Sequence, residues 1–323
     1  MREALFIKKN KDRWLKIQHE PSSDPDEMAS DFTQLVDDLA YAKTFYPAGK
    51  VTQYINTQAS KVFLDIYRNK KEESNRIVTF WKYDLPLVIR KHHRVALFSL
   101  IVFIVFFSIG FFTSADDDEI VRGILGDGYV EMTKENIANG NPFGVYEGGT
   151  PFFNWLGLMI HNIRVDMMIF VSGIFCGAPS MYMEGQNSIM VGAFNQLFYE
   201  NGLGLDFWLV VFVHGTLEMT ALILAATSGF VLGKSYLFPG TIKRLDSFKQ
   251  GAKDGVKIMI GLIPVSALAA FFEAYVTRLY NDAYVITSLV FILSVLFVIW
   301  YFIIYPIRLG RRLKNRLNEE EEV

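Results

Sequence analysis

The stretch Leu205–Gly233, LDFWLVVFVHGTLEMTALILAATSGFVLG, decides the fold. About 20 apolar residues cross a hydrocarbon core of ~30 Å, and this run is long enough and apolar enough to do so. Yet it carries His214 and Glu218 in its middle, one helical turn apart. A charged side chain at bilayer depth costs roughly 2.5–3.5 kcal/mol on insertion scales. Why the chain tolerates that cost is the centre of the functional question.

Working outward, the chain has 323 residues, 51% hydrophobic and 15% aromatic, and the apolar residues fall in blocks after position 94. The first ninety residues read as an ordinary soluble sequence. This asymmetry predicts an all-α polytopic membrane protein with an N-terminal cytosolic helical domain. The net charge of −2 gives no argument for nucleic-acid binding. The single cysteine, Cys176, excludes a disulfide framework and a cysteine metal cage. MREALFIKKNKDRW lacks the apolar core of a signal peptide, so insertion is expected to use the first internal span.

Residues 1–75 are expected to form the cytosolic domain. Phe6, Trp14 and Ile17 mark a short amphipathic helix that stops before Pro21. Ser22, Ser23 and Asp24 offer an N-cap with Pro25 behind them. Met28, Phe32, Leu35, Val36, Leu39 and Ala40 then share one face, and the helix ends near Tyr46-Pro47. A third helix turns Val51, Ile55, Ala59, Phe63 and Ile66 inward. Residues 76–94 form a juxtamembrane segment with Trp81, ending in Arg90, Lys91, His92, His93 and Arg94. Its composition suits a helix lying on the cytosolic face.

The transmembrane domain is placed at 95–305, with an external loop at 114–151 and a cytosolic tail at 306–323. Val95–Phe112 is the first span, basic on one flank and followed by Asp116, Asp117, Asp118 and Glu119 on the other. Excess Lys and Arg mark the cytosolic side. Between residues 152 and 203 the apolar runs are broken, and hydropathy alone leaves open two full spans or an interfacial or re-entrant helix. Lys234, Lys243, Arg244, Lys249, Lys253 and Lys257 place the segment after residue 233 inside. An odd number of crossings is then needed from residue 150 to 234, and three fit. Spans near Val256–Val276 and Tyr284–Tyr305 bring the total to six, with both termini cytosolic.

A candidate functional polar cluster comprises His214, Glu218, Glu273, Arg164, Asp166, Asn162 and Asn187. His214 and Glu218, at i and i+4, share a helix face. One reading pairs these groups with each other and with Arg164, fixing helix register at about 0.6–2 kcal/mol per pair. Another makes them a working polar pocket. His-x-x-x-Glu with Glu273 could supply three metal ligands, but the spacing is not the His-Glu-x-x-His of zinc proteases, and no metal or cofactor is expected. Gly229 to Ser235 imitates a phosphate-binding loop, except that its first glycine would fall at Ser228 and no strand precedes it. Gly229 and Gly233, like Gly173 and Gly177, instead read as small-xxx-small helix contacts, with Gly192 and Gly215 as further packing glycines. No Gly-x-Ser-x-Gly elbow or nucleophile pair is present.

His214-Gly215-Thr216-Leu217-Glu218, with Ala221, Gly229 and Gly233, resembles the His-Gly-x-x-Glu motif and trailing glycines of the stage II sporulation protein M family. Asn162 and Val165, then Gly173, Asn187 and Gly192, are similar to the preceding family segment, and Phe272-Glu273-Ala274 to the acid of a later span. Phe6, Trp14, Asp38-Leu39-Ala40 and Tyr46-Pro47 resemble its longer, non-sporulation branch. In spore formers the resemblance implies a scaffold holding peptidoglycan-degrading enzymes. The longer relatives are commonly encoded near a MoxR-type AAA ATPase and von Willebrand A-domain proteins. The expectation is therefore a non-enzymatic scaffold or component of a bacterial envelope complex in the cytoplasmic membrane. It is expected to be homodimeric, with envelope proteins and such an ATPase as partners. A transporter or channel using His214, Glu218 and Glu273 is the alternative, and an intramembrane hydrolase a third.

Overall fold

The computed structural model describes residues 3–22, 24–68, 76–280 and 283–321, and every regular element among them is helical. The chain divides into two units, Met1–Arg76 and Ile77–Val323.

The first unit holds α1 (Glu3–His19), α2 (Pro25–Phe45) and α3 (Lys50–Arg68). Asp24 caps α2, its side chain accepting from the Asp26 amide at 3.1 Å, while Ser23 lies outside the described residues. Phe6, Trp14, Ile17, Leu35, Ala42, Val51, Ile55 and Ala59 form the core. Val36, Ala40 and Phe63, expected to face inward, are exposed. The buried stripe of α2 steps by seven through Met28, Leu35 and Ala42, which is too narrow to admit Val36 or Ala40. Asp38 ties α1 to α2 by accepting from Trp14 Nε1 at 2.8 Å and from the Arg13 guanidinium.

The second unit is entered through α4 (Arg76–Thr79), a π turn at Phe80–Asp84 and α5 (Leu85–Lys91). Then follow α6 (His93–Asp116), α7 (Asp118–Leu125), α8 (Asp127–Ala138), a 3-10 turn at Gly144–Glu147, α9 (Pro151–Ser172), α10 (Ala178–Glu200) and α11 (Gly204–Leu237). α12 (Arg244–Phe271) is prolonged by a π turn at Phe272–Val276 and a 3-10 turn at Thr277–Leu279. Asn281 and Asp282, read as part of a turn, lie outside the described residues. α13 (Tyr284–Val298) passes through a π turn at Ile299–Ile304 into α14 (Tyr305–Glu321).

Among the described residues, four helices are long and apolar enough to cross a membrane: His93–Ala115, Gly204–Leu237, Arg244–Leu279 and Tyr284–Arg316. α9 and α10, with 22 and 23 residues, have comparable length but more polar sequences. α11 is the axis, packed against α6, α9, α10, α12 and α13. From Ala221 to Gly233 every residue except Ile223 is buried. α6 and α13, by contrast, expose Leu97, Ile101, Ile104, Ile109, Val285, Leu289, Ile292 and Leu296. Apolar area on this scale suits a hydrocarbon solvent.

The juxtamembrane segment departs from the expected surface helix. Leu85, Val88 and Ile89 are buried in the main core with Ile258, Leu262, Tyr301 and Phe302. The absence of a side chain at Gly261 makes room for Leu85, so this apolar face has a protein partner. Lys91 and His92 both meet Asp254, at 2.7 and 2.8 Å, and Lys257 meets Asp84 at 3.2 Å.

Of the predicted packing glycines, Gly173, Gly229 and Gly233 interlock where the α9–α10 turn lies against α11. A Cβ on Gly229 would stand 2.9 Å from the Ile169 carbonyl, and one on Gly233 2.6 Å from the Gly177 nitrogen. Gly192 admits the Phe107 carbonyl of α6 in the same way. Gly177 has φ 80°, which suits glycine, but Cys176 before it also sits at φ 61°. Gly215 differs from its expected role: a Cβ there meets only Phe212 of its own helix, at 3.8 Å.

Candidate functional site

His214 and Glu218 share a face of α11 because they are four residues apart. Opposite them the π turn carries Glu273, and the following 3-10 turn carries Thr277. One ligand-type atom each from His214, Glu218 and Glu273 lies within 4.8 Å of the others. His214 is 4% exposed, and its Nδ1 stands 3.0 Å from the fully buried Thr277 hydroxyl. The Tyr146 ring meets the imidazole edge-on at 5.4 Å.

A second layer comes from α9. Asn162 and Asp166 are both buried, and Asp166 accepts from Ser266 Oγ at 2.9 Å. The Asn162 amide is directed at Glu218, but its Nδ2 has no partner in hydrogen-bonding geometry. Asn187 of α10 shares a cavity of about 80 Å³ with Asn162, Asp166, Glu218 and Ser266, while its own amide donates to the Met183 carbonyl at 2.8 Å.

Arg164 stands apart. It is exposed and forms no ion pair among the described residues, which removes the expected pairing with the acids. At about 100° per residue, Asn162 and Asp166 return to one face, while Arg164 midway between them points to the other.

A second cavity, of about 410 Å³, is lined by Tyr146, Phe153, Asn154, His161 and Glu273 among others. The segment after α6 closes over this end of the bundle. Phe143 stacks on Phe198 at 4.8 Å, Tyr280 donates to Asn141 Oδ1 at 2.5 Å, and Arg278 donates to the Glu147 carbonyl. Within the segment Asp118 bridges α7 and α8 by binding Arg122 at 2.9 Å and Lys134 at 2.6 Å. Hydrogen bonds from Lys134 and Arg122 hold its carboxyl below the usual range. Burial pushes the Tyr129 hydroxyl up to about 12, with the Glu273 charge adding to the shift. Tyr146 is raised well above its ordinary value for the same first reason, with smaller contributions from Tyr129, Glu273 and Glu218.

Thr277 and Ser266 escaped the reading of the sequence, since hydroxyl residues in apolar helices carry no distinguishing signal. Glu184 escaped it too. It is fully buried between α6 and α10, with Ser99 Oγ 2.5 Å from one oxygen and no partner for the other. Its neighbours Gly185, Gln186 and Asn187 made the stretch read as a break between spans.

A family model described as Stage II sporulation protein M matches residues 99–278. That range contains every residue of the cluster. A second model, described as a domain of unknown function, matches residues 4–68, the extent of α1 to α3. No curated protein and no solved structure matches the chain.

Proposed function

Because the chain belongs to the stage II sporulation protein M family, we propose that it is a non-enzymatic integral scaffold or component of a bacterial envelope-associated complex. The segment from α7 to Glu147 carries this reading. It is a folded platform anchored to the bundle by Arg278, Tyr280 and Phe143, and its Asp127 and Glu135 side chains are exposed. A fixed, acidic surface of this kind is suited to holding another protein. The first unit, with its own core, offers a second docking surface.

The proposed topology has six crossings in the cytoplasmic membrane, with both termini cytosolic. α9 and α10, at 22 and 23 residues, are about 33–35 Å long at 1.5 Å per residue, enough for a ~30 Å core. The Lys and Arg residues around 234–257 and 308–316 favour this orientation. A homodimer, envelope proteins outside and a MoxR-type ATPase inside complete the proposal. Purification in mild detergent should recover partners in stoichiometric amount. Asp127→Lys with Glu135→Lys should release the envelope partners, and deletion of residues 3–68 the cytosolic one. A chain that is solitary and still functional overturns the proposal.

One observation favours a second reading, a transporter: the cavities of about 410 and 80 Å³ reach Glu273 and Glu218. Cation flux into liposomes carrying the purified chain, abolished by Glu218→Gln, would support it. Absence of flux removes it.

A further inference from the structure

The cluster between α11 and the π turn after α12 has a composition that the scaffold reading leaves unused. We propose that His214, Glu218 and Glu273 bind one divalent transition-metal ion of the zinc type, through His214 Nε2 and one oxygen of each glutamate. This site stands independently of the scaffold reading and shares Glu218 and Glu273 with the transporter reading.

Tetrahedral bonds of about 2.0–2.2 Å place donors around one zinc about 3.3–3.6 Å apart. One ligand-type atom from each of the three residues already lies within 4.8 Å of the others, so side-chain rotations can bring Nε2 and the two carboxylates to one ion. The ligands come from two helices, so the one-helix spacing of zinc proteases does not apply.

The histidine is oriented for the task. Thr277 Oγ1 stands 3.0 Å from Nδ1; in the tautomer with the proton on Nδ1 it accepts that hydrogen and leaves the Nε2 lone pair free. Metal-ligating histidines are commonly held in this way through their second nitrogen.

Two partly buried carboxylates this close repel each other unless a proton or a cation lies between them. Among the described residues neither pairs with a lysine or arginine, and Arg164 is directed elsewhere. One dication neutralises both. Asn162, 8% exposed, lies beside Glu218 with its Nδ2 outside strict hydrogen-bonding geometry. A buried amide in that place orients a ligating carboxylate. One nitrogen and two oxygens, with a position left for water, is a ligand set that zinc takes in hydrolytic sites and that manganese or iron also accept.

The test uses the full chain in detergent, stripped with a chelator and titrated with Co²⁺ and then Zn²⁺. Calorimetry should give one ion per chain, and bound Co²⁺ a visible absorption band that Zn²⁺ abolishes. Thr277→Val should weaken binding about 10- to 100-fold. Glu218→Gln and Glu273→Gln, close in shape to the native residues, should each weaken it at least as much. Arg164→Ala, an exposed residue on the other face of α9, should leave it unchanged. No saturable binding to the native chain, or equal binding by both glutamine variants, overturns the proposal.

Discussion

Arg164 and Asp166 sit two residues apart on α9 and have opposite fates, one exposed and one buried against Ser266. Sequence announces a charge in an apolar run without saying which side of the helix it occupies. His214, Glu218 and Glu273 were legible because each interrupts such a run. Thr277, Ser266 and Ser99 were not, because a hydroxyl can satisfy itself on its own helix and so marks nothing. Glycines divide in the same way. Gly229→Ala drives a Cβ toward the Ile169 carbonyl and Ser180, and should destabilise the chain by about 1–3 kcal/mol. Gly215→Ala has room, and should be neutral or stabilise the helix by up to about 1 kcal/mol. Thermal unfolding in detergent separates the two. The same measurement should show Cys176→Gly stabilised by up to about 1 kcal/mol, since the native residue holds φ 61°.

At the scale of the element, the first unit was legible through its stripe and its Asp24 cap. The width of the stripe was not, because a sequence shows which apolar residues could face inward and not how closely a neighbour approaches. The segment from α4 to α5 misled for a related reason. Its tryptophan and basic end resemble an interfacial helix, whereas the space at Gly261 that receives Leu85 becomes visible only once α12 is in place. The junction of α5 and α6 carries a pH dependence. Burial lowers the pKa of His92, Lys91 and Lys234 act in the same direction, and the hydrogen bond to Asp254 offsets part of the shift. Below about pH 6.5 the unfolded chain then takes up this proton before the folded one. The stability that rests on neutral His92 is complete above that pH and is lost as pH falls toward the lowered folded value. Unfolding midpoints between pH 5 and 8 should therefore fall more steeply on the acid side for the native chain than for His92→Gln.

For the whole molecule, α9 and α10 were hard to delimit because Asn162, Arg164, Asp166, Glu184, Gln186 and Asn187 interrupt their hydropathy. The parity of flanking charge calls for them as crossings. The topology has a direct check, since Cys176 is the one cysteine, is exposed, and lies in the α9–α10 turn. A membrane-impermeant maleimide should label it only after cells are permeabilised; labelling of intact cells would reverse the orientation. The burial of α11 bears on biosynthesis. Its polar middle is covered on one side by Thr277 and Glu273, and its flank is packed by α12 and α13, all translated after it. As α11 leaves the ribosome it therefore enters the insertion machinery half-clad. A nascent chain arrested before residue 244 would offer His214 and Glu218 to lipid or to a chaperone, which makes the last quarter of the chain the step that completes the centre.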